Sequence, residues 1–332
     1  MPYIGWRRPR LAIALALLVA AIVLRPAVAG AEPATGSLTT GTYADTAGSL
    51  TYELYVPPSY QAGTAMPLVV ALHGCTQTAS QFRDLTGFDD LAAAKGFIVV
   101  YPEQSRSRNQ LGCWNWFTTE NVSRAAGEPS LIAGITGSVQ QRYTVDPHRI
   151  YVTGLSAGAA MAEVMAATYP DVYAAVGVGS GCEYTAGAAC AGYRSDDPEQ
   201  AGRRAYQAMG AHARPIPFLI FHGDQDTTVP PVNAEQNLRA NQVAADWADD
   251  GAENGSVPGA PTKTVDGQVP GGQSYTIRYY SDAHGNELGQ FCLVHGMGHS
   301  WSGGSAAGSY ADPTGPSESA AMYDFFMSHP AP

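Results

Sequence analysis

The stretch Arg149-Ile-Tyr-Val-Thr-Gly-Leu-Ser-Ala-Gly-Ala-Ala-Met-Ala162 decides the fold. Arg149 to Thr153 is a short apolar, β-branched and aromatic run that predicts a strand. Gly154-Leu155-Ser156-Ala157-Gly158 follows without a gap and fits G-x-S-x-G, and Ala157 to Tyr169 predicts a helix stopped by Pro170. With 37 glycines in 332 residues the five-letter motif carries little weight alone, and an ordinary strand–helix turn with a capping serine also matches it. The context gives it meaning. Strand, tight turn and helix in that order form an elbow that lifts a serine hydroxyl clear of a sheet, with glycines where side chains would collide. The helix N-terminus then aims unpaired N–H groups at any anion formed there.

Outward from this elbow, strands and helices alternate. Leu50 to Val56, Pro67 to Leu72, Phe97 to Tyr101, Tyr173 to Val178, Pro217 to Phe221 and Phe291 to Val294 read as strands. Gln77 to Lys95, Pro129 to Tyr143, Ala234 to Asp249 and Ser317 to Ser328 read as helices. Apolar, non-alternating strands separated by helices predict an α/β fold, a mostly parallel sheet covered on both faces. Residues 30–332 are expected to form one such domain, with insertions near 181–214 and 250–274 long enough to be lids or substrate-binding loops.

The first 29 residues read as a secretory leader rather than as part of the fold. Arg7, Arg8 and Arg10 precede the apolar run Leu11 to Leu24, and Ala27-Val28-Ala29 offers a small-x-small cleavage site. Fourteen helical residues reach only about 21 Å, short of a bilayer core of roughly 30 Å. Four of the 18 Lys+Arg lie in this segment and none of the 29 Asp+Glu does, so the remainder carries 14 cations against 29 acids. So acidic a body argues against nucleic acid or an anionic membrane surface as partner. A secreted, extracellular protein is expected, in which disulfides are permitted. Cys182 and Cys190 bracket a short loop and are the easiest pair. Cys75 and Cys113 each follow a predicted strand and can meet at one sheet edge, and Cys292 in an apolar run reads as a buried free thiol. None has the paired spacing of a zinc site.

A lone serine is a poor nucleophile and needs a base and an orienting carboxylate. In a sheet with this elbow the chain order is Ser, acid, His. The strand ending at Phe221 runs into His222-Gly-Asp-Gln-Asp226, where Asp224 and Asp226 compete. Asp226 is preferred because it lies further from the strand end, with room to reach inward. Phe291 to Val294 leads into His295-Gly-Met-Gly-His299, where the Gly-x-Gly turn favours His299 over His295. The loop His73-Gly74-Cys75 after Leu72 is the expected oxyanion donor, through the N–H groups of Cys75 and Ala157. Trp114, Trp116 and Trp301 are expected near the cleft as substrate-packing aromatics, with ordinary aromatic core as the other reading of Trp114 and Trp116.

Six motifs in order then carry a resemblance: Leu72-His-Gly-Cys-Thr-Gln-Thr-Ala79, Val100-Tyr-Pro-Glu-Gln104, Cys113-Trp-Asn-Trp-Phe117, Val152-Thr-Gly-Leu-Ser-Ala-Gly158, Phe221 to Pro231 and Gly296-Met-Gly-His-Ser-Trp-Ser-Gly-Gly304. From about Thr42 to Ser328 the chain resembles the extracellular polyhydroxybutyrate (PHB) depolymerase family of α/β-hydrolase esterases, which overlaps CE1-type feruloyl and acetylxylan esterases. The resemblance implies a serine esterase with Ser156, Asp226 and His299 as its triad, Cys75 at the oxyanion hole, an ester of a polyester or a polysaccharide as its partner, and no cofactor or metal. The motifs do not separate hydroxybutyrate from ferulate or acetate. A serine peptidase, an acyltransferase and a non-catalytic binding protein are the competing readings on the same scaffold.

Overall fold

The computed structural model describes residues 1–3, 36–187, 190 and 197–332. The leader read in residues 1–29 lies outside the described residues apart from its first three. Within Thr35–Pro332 a ten-stranded sheet runs β1 (Ser37–Asp45), β2 (Gly48–Val56), β4 (Ile98–Glu103), β3 (Met66–Leu72), β5 (Val145–Leu155), β6 (Val176–Gly179), β7 (Phe218–Gly223), β10 (Glu287–Val294), β9 (Ser274–Ser281) and β8 (Lys263–Gln268). The six strands from β4 to β10 are mutually parallel, and an antiparallel pair closes each edge.

Alternation along the central strands feeds two cores. Leu68, Val70 and Leu72 pack with α3 (Gly127–Arg142), α4 (Ala157–Thr168), α5 (Pro198–Met209) and α6 (Val232–Asp250). Val69 and Ala71 point the other way, onto α1 (Ala79–Thr86), α2 (Phe88–Lys95) and α7 (Glu318–Ser328). This is a parallel sheet covered on both faces, and it explains why β3 is buried at all seven positions. No helix among the described residues is long and apolar enough to cross a membrane.

Several expectations are corrected. The helix read over Gln77 to Lys95 is two helices, because Gly87 adopts φ 63° and serves as C-cap of α1 and N-cap of α2. The 181–214 insertion contains α5, which starts on an Asp197 cap with Pro198 at its first position. Much of 250–274 is edge structure, since Lys263–Gln268 pairs with β9. The strands β1 and β8 escape a reading based on apolar patterning because they are largely exposed.

The carboxyl ends of β3, β5, β7 and β10 lie on one edge of the sheet, where open α/β sheets bind ligands. Behind that edge two further strands, β11 (Trp301–Ser302) and β12 (Ala311–Asp312), form a small parallel ladder. Glu318, in the first turn of α7, is fully buried; its Oε2 accepts the Ser302 N–H at 3.0 Å, and its Oε1 meets no partner among the described residues. Burial pushes its carboxyl well above the ordinary range, against the lowering effect of the Ser302 N–H. An acid whose folded-state pKa is raised stabilises the fold fully below the unfolded value of about 4.5 and loses that contribution as pH rises. Glu318→Gln, which cannot ionise, should therefore melt at least ~2 °C above wild type at pH 8, with the gap closing at pH 4. Calorimetry at the two pH values checks this, and an advantage equal at both would contradict it.

Candidate active site

Ser156 sits between β5 and α4 with φ 58° and ψ −118°, a region a non-glycine residue enters only at a cost of about 1–3 kcal/mol. The glycines on either side allow it. A Cβ on Gly158 would lie 2.0 Å from the Leu72 carbonyl oxygen, and one on Gly154 would lie 2.4 Å from the Gly158 carbonyl carbon. The turn is fastened by Ser156 N–H donating to Gly179 O at 2.8 Å and Ala160 N–H to Ser156 O at 2.9 Å. Every residue of α4 is buried, and its small Ala/Gly side chains let it lie close against β3, β5 and β6.

The acid and the histidine come from loops that are bonded together. Asp224 N–H donates to Val294 O at 3.1 Å and Gln225 N–H to Met297 O at 3.0 Å. Gly223 lies so near the second loop that a Cβ would stand 2.2 Å from Met297 O. On this base His299 Nδ1 meets Asp226 Oδ2 at 2.7 Å, while Asp226 Oδ1 accepts the N–H groups of Thr228 and Val229, each at 2.9 Å. Burial raises the Asp226 pKa, but the His299 hydrogen bond and charge, with the turn amides, outweigh it and hold the carboxyl below its usual range. The other acid and histidine pair with each other: His295 Nδ1 stands 3.1 Å from Asp224 Oδ2, and Gly296 N–H donates to Asp224 Oδ1 at 2.8 Å. Half-buried and absent from the lining of the serine cavity, that second pair braces the same two loops.

His73 is buried behind the β3 loop with its tautomer fixed. Gln104 N–H donates to Nε2 at 3.0 Å, so Nδ1 carries the hydrogen to Gly74 O at 2.8 Å. Burial lowers its pKa and keeps the ring neutral. Gln77 Oε1 accepts Gly74 N–H at 2.9 Å, and a disulfide joins Cys75 to Cys113. These contacts leave the N–H groups of Cys75 and Ala157 without an acceptor among the described residues, at the rim of the cavity Ser156 lines.

Two adjoining cavities share Ser156, Cys75 and Thr228. The smaller, about 150 Å³, is lined by Gly74, Ser156, His299, Thr228 and Tyr310. The larger, about 400 Å³, is mainly apolar and lined by Trp116, Phe117, Ala157, Cys190, Thr228 and Val229. Cys190 is held to Cys182 by the second disulfide, as the short loop between them suggested, and Cys292 is free and buried, as its apolar run suggested.

Of the three expected tryptophans only Trp116 reaches this cavity, with Phe117 edge-on at 5.2 Å. Trp114 is fully buried and donates its Nε1–H to His73 O at 3.0 Å, so it supports the loop from behind. Trp301 is likewise core, packed edge-on against Phe82 and Phe88 and donating to Ser319 Oγ. Tyr310 and Thr228 were missed. Tyr310 lies in a Gly/Ser/Ala loop with no periodic signal, and reaches His299 edge-on at 6.0 Å from a backbone φ of 64°. Among the described residues no group of three or more His, Cys, Asp or Glu gathers as metal ligands.

Residues 50–247 match the model of the family described as esterase PHB depolymerase. The chain is 35% identical to poly(3-hydroxyalkanoate) depolymerase C of Paucimonas lemoignei over 262 residues, 76% of this chain and 58% of that protein. It is 32% identical to acetylxylan esterase A of Emericella nidulans, over 61% of this chain and 70% of that one. Among solved structures, the acetyl xylan esterase from Aspergillus awamori superposes with TM-score 0.63 at 26% identity, covering 79% of this chain and 94% of that chain. The feruloyl esterase module from Clostridium thermocellum, at 13% identity and TM-score 0.54 over 80% of this chain and 82% of that chain, shares the fold. The chain thus spans less than two thirds of the Paucimonas relative.

The elbow makes Gly158 the most intolerant position. Gly158→Ala must push α4 off β3, because its neighbour at 2.0 Å is backbone and cannot rotate away. It should cost at least ~2 kcal/mol in a urea melt, and a variant as stable as wild type would refute the reading of this contact.

Proposed function

We propose that this chain, which belongs to the esterase PHB depolymerase family, is a secreted serine esterase that hydrolyses carboxylic esters through an acyl-enzyme. The observation that carries the reading is the 2.7 Å contact between His299 and Asp226 beside a cavity that His299 shares with Ser156. In this reading His299 takes the Ser156 proton through Nε2 as Oγ attacks the ester carbonyl. Asp226 fixes Nδ1–H as the inward tautomer and stabilises the imidazolium that forms. The oxyanion is received by the free N–H groups of Cys75 and Ala157, where each donor is worth roughly 3 kcal/mol. The alcohol departs with the proton held by His299, and water activated by the same imidazole then releases the acid.

The apolar cavity of about 400 Å³ beside Ser156 favours an acyl group larger than acetate. A 3-hydroxyalkanoate polyester is the primary reading, in line with the Paucimonas relative. The Trp116–Phe117 ring pair supports a hydroxycinnamoyl ester as the second, since aromatic acids pack on such edges. The two disulfides and the N-terminal leader agree with action outside the cell.

Rates on a soluble 3-hydroxybutyrate oligomer and on methyl ferulate test both levels. Ser156→Ala should lose at least ~1,000-fold in kcat on whichever ester is cleaved, and an unchanged rate would mean the nucleophile lies elsewhere. A preference for the oligomer supports the polyester reading, and a preference for methyl ferulate replaces it with the second. The loss expected of Asp226→Asn, about 100- to 10,000-fold, should appear in kcat rather than KM.

A further inference from the structure

His222 has no role in the reaction as written, yet it is a fully buried imidazole beside the triad acid. It stands near the end of β7, flanked by β6 and β10. Its Nε2 lies 2.8 Å from Val229 O and 3.5 Å from Asp226 Oδ2. A carbonyl oxygen only accepts, so Nε2 carries the ring hydrogen and Nδ1 keeps its lone pair. Nδ1 meets no partner among the described residues, as expected of a neutral ring. Burial lowers the pKa of this imidazole, with Asp226 and the Val229 carbonyl opposing, and His299 reinforcing, the shift.

The contacts close a ring. His222 donates to Val229 O, Val229 N–H donates to Asp226 Oδ1, and Asp226 Oδ2 faces both His222 and His299. The titratable groups acting on His222 are Asp226, His299 and, from α6, Glu235. Those around His299 are Asp226, His222 and the Tyr310 ring.

We propose that His222 is a positioning residue: its Nε2–H locks the turn that presents Asp226 and draws part of the Asp226 charge away from His299. The inference rests on the reading of Asp226 as the triad acid. The Nε2–H dipole is donated to Val229 O but lies only 3.5 Å from Oδ2, where it stabilises the carboxylate and shares the field His299 would otherwise feel alone. Without it, Asp226 is held less firmly and His299 binds a proton more tightly. The acid limb of kcat/KM then moves to higher pH, because more of the imidazole is protonated and unable to act as a base.

Two substitutions separate this from simple core packing. In His222→Gln the amide nitrogen can occupy the Nε2 position, whereas in His222→Asn it ends near Nδ1, short of both acceptors. With a soluble p-nitrophenyl ester, the glutamine variant should stay within about 3-fold of wild-type kcat with an unmoved pH profile. The asparagine variant should lose about 10-fold in kcat, keep KM within about 2-fold and shift its acid limb upward by about half a pH unit. Equal kcat and profiles in both variants, or losses in both through KM alone, would overturn the proposal. Asp226→Ala serves as control: wild-type activity there refutes the triad reading itself, whereas its inactivation beside two indifferent His222 variants removes this inference alone. Should the asparagine variant not fold, ¹⁵N NMR of the wild type decides. His222 is expected as the Nε2–H tautomer from pH 5 to 8, and a hydrogen on Nδ1 would overturn the proposal.

Discussion

Everything at the proposed site depends on one backbone contact, the approach of α4 to β3 at Gly158. The Leu72 carbonyl stands where any side chain at residue 158 would begin, so the helix can close onto the sheet only through glycine. That closeness draws the chain through the positive φ of Ser156, raises its hydroxyl above the strand ends and sets the first turn of α4 facing the cavity. Ser156 N–H is spent on Gly179, so the strained turn is tied to the neighbouring strand rather than left to relax. Residues that carry this strain do so because packing on three sides leaves no alternative, which is how such conformations persist.

A second constraint is the cost of burying polar groups, and it shapes the loops around the cavity. His73 and His222 are both buried and neutral, yet hold opposite tautomers, each fixed by what its neighbours accept or donate. Glu128, fully buried, gathers Gln104 and Asn115 and so ties the strand end beyond β4 to the segment bearing Cys113, Trp114 and Trp116. Asp224 and His295 do the same at the base of the acid and histidine loops. Satisfied networks of this kind rigidify a site, because any displacement strands a buried donor or acceptor.

How much was legible in the sequence follows the same physics. The central strands were visible because burial on both faces demands unbroken apolar runs, and the elbow because glycine has no substitute there. Asp226 and His299, chosen over Asp224 and His295, do meet in space, since chain order and loop reach restrict which acid can face which base. What stayed hidden had no local signature. Gly87 divides a continuous helical pattern, β8 is an exposed edge, and Trp114 and Trp301 differ from Trp116 only in what surrounds them after folding. Tyr310 enters from a loop of small residues, and His222 reads as an ordinary strand end until its ring is seen against Asp226.

The account claims that a reacting ester would have its carbonyl carbon at Ser156 Oγ and its oxygen at the N–H groups of Cys75 and Ala157. A crystal structure of the adduct with an alkyl phosphonate ester, which mimics the tetrahedral intermediate, tests that claim directly. The account predicts phosphorus bonded to Ser156 Oγ, the phosphonyl oxygen within about 3 Å of both amides, and the alkyl chain in the apolar cavity lined by Trp116 and Val229. Phosphorus on any other residue, or a phosphonyl oxygen turned to solvent away from Cys75 and Ala157, would contradict it.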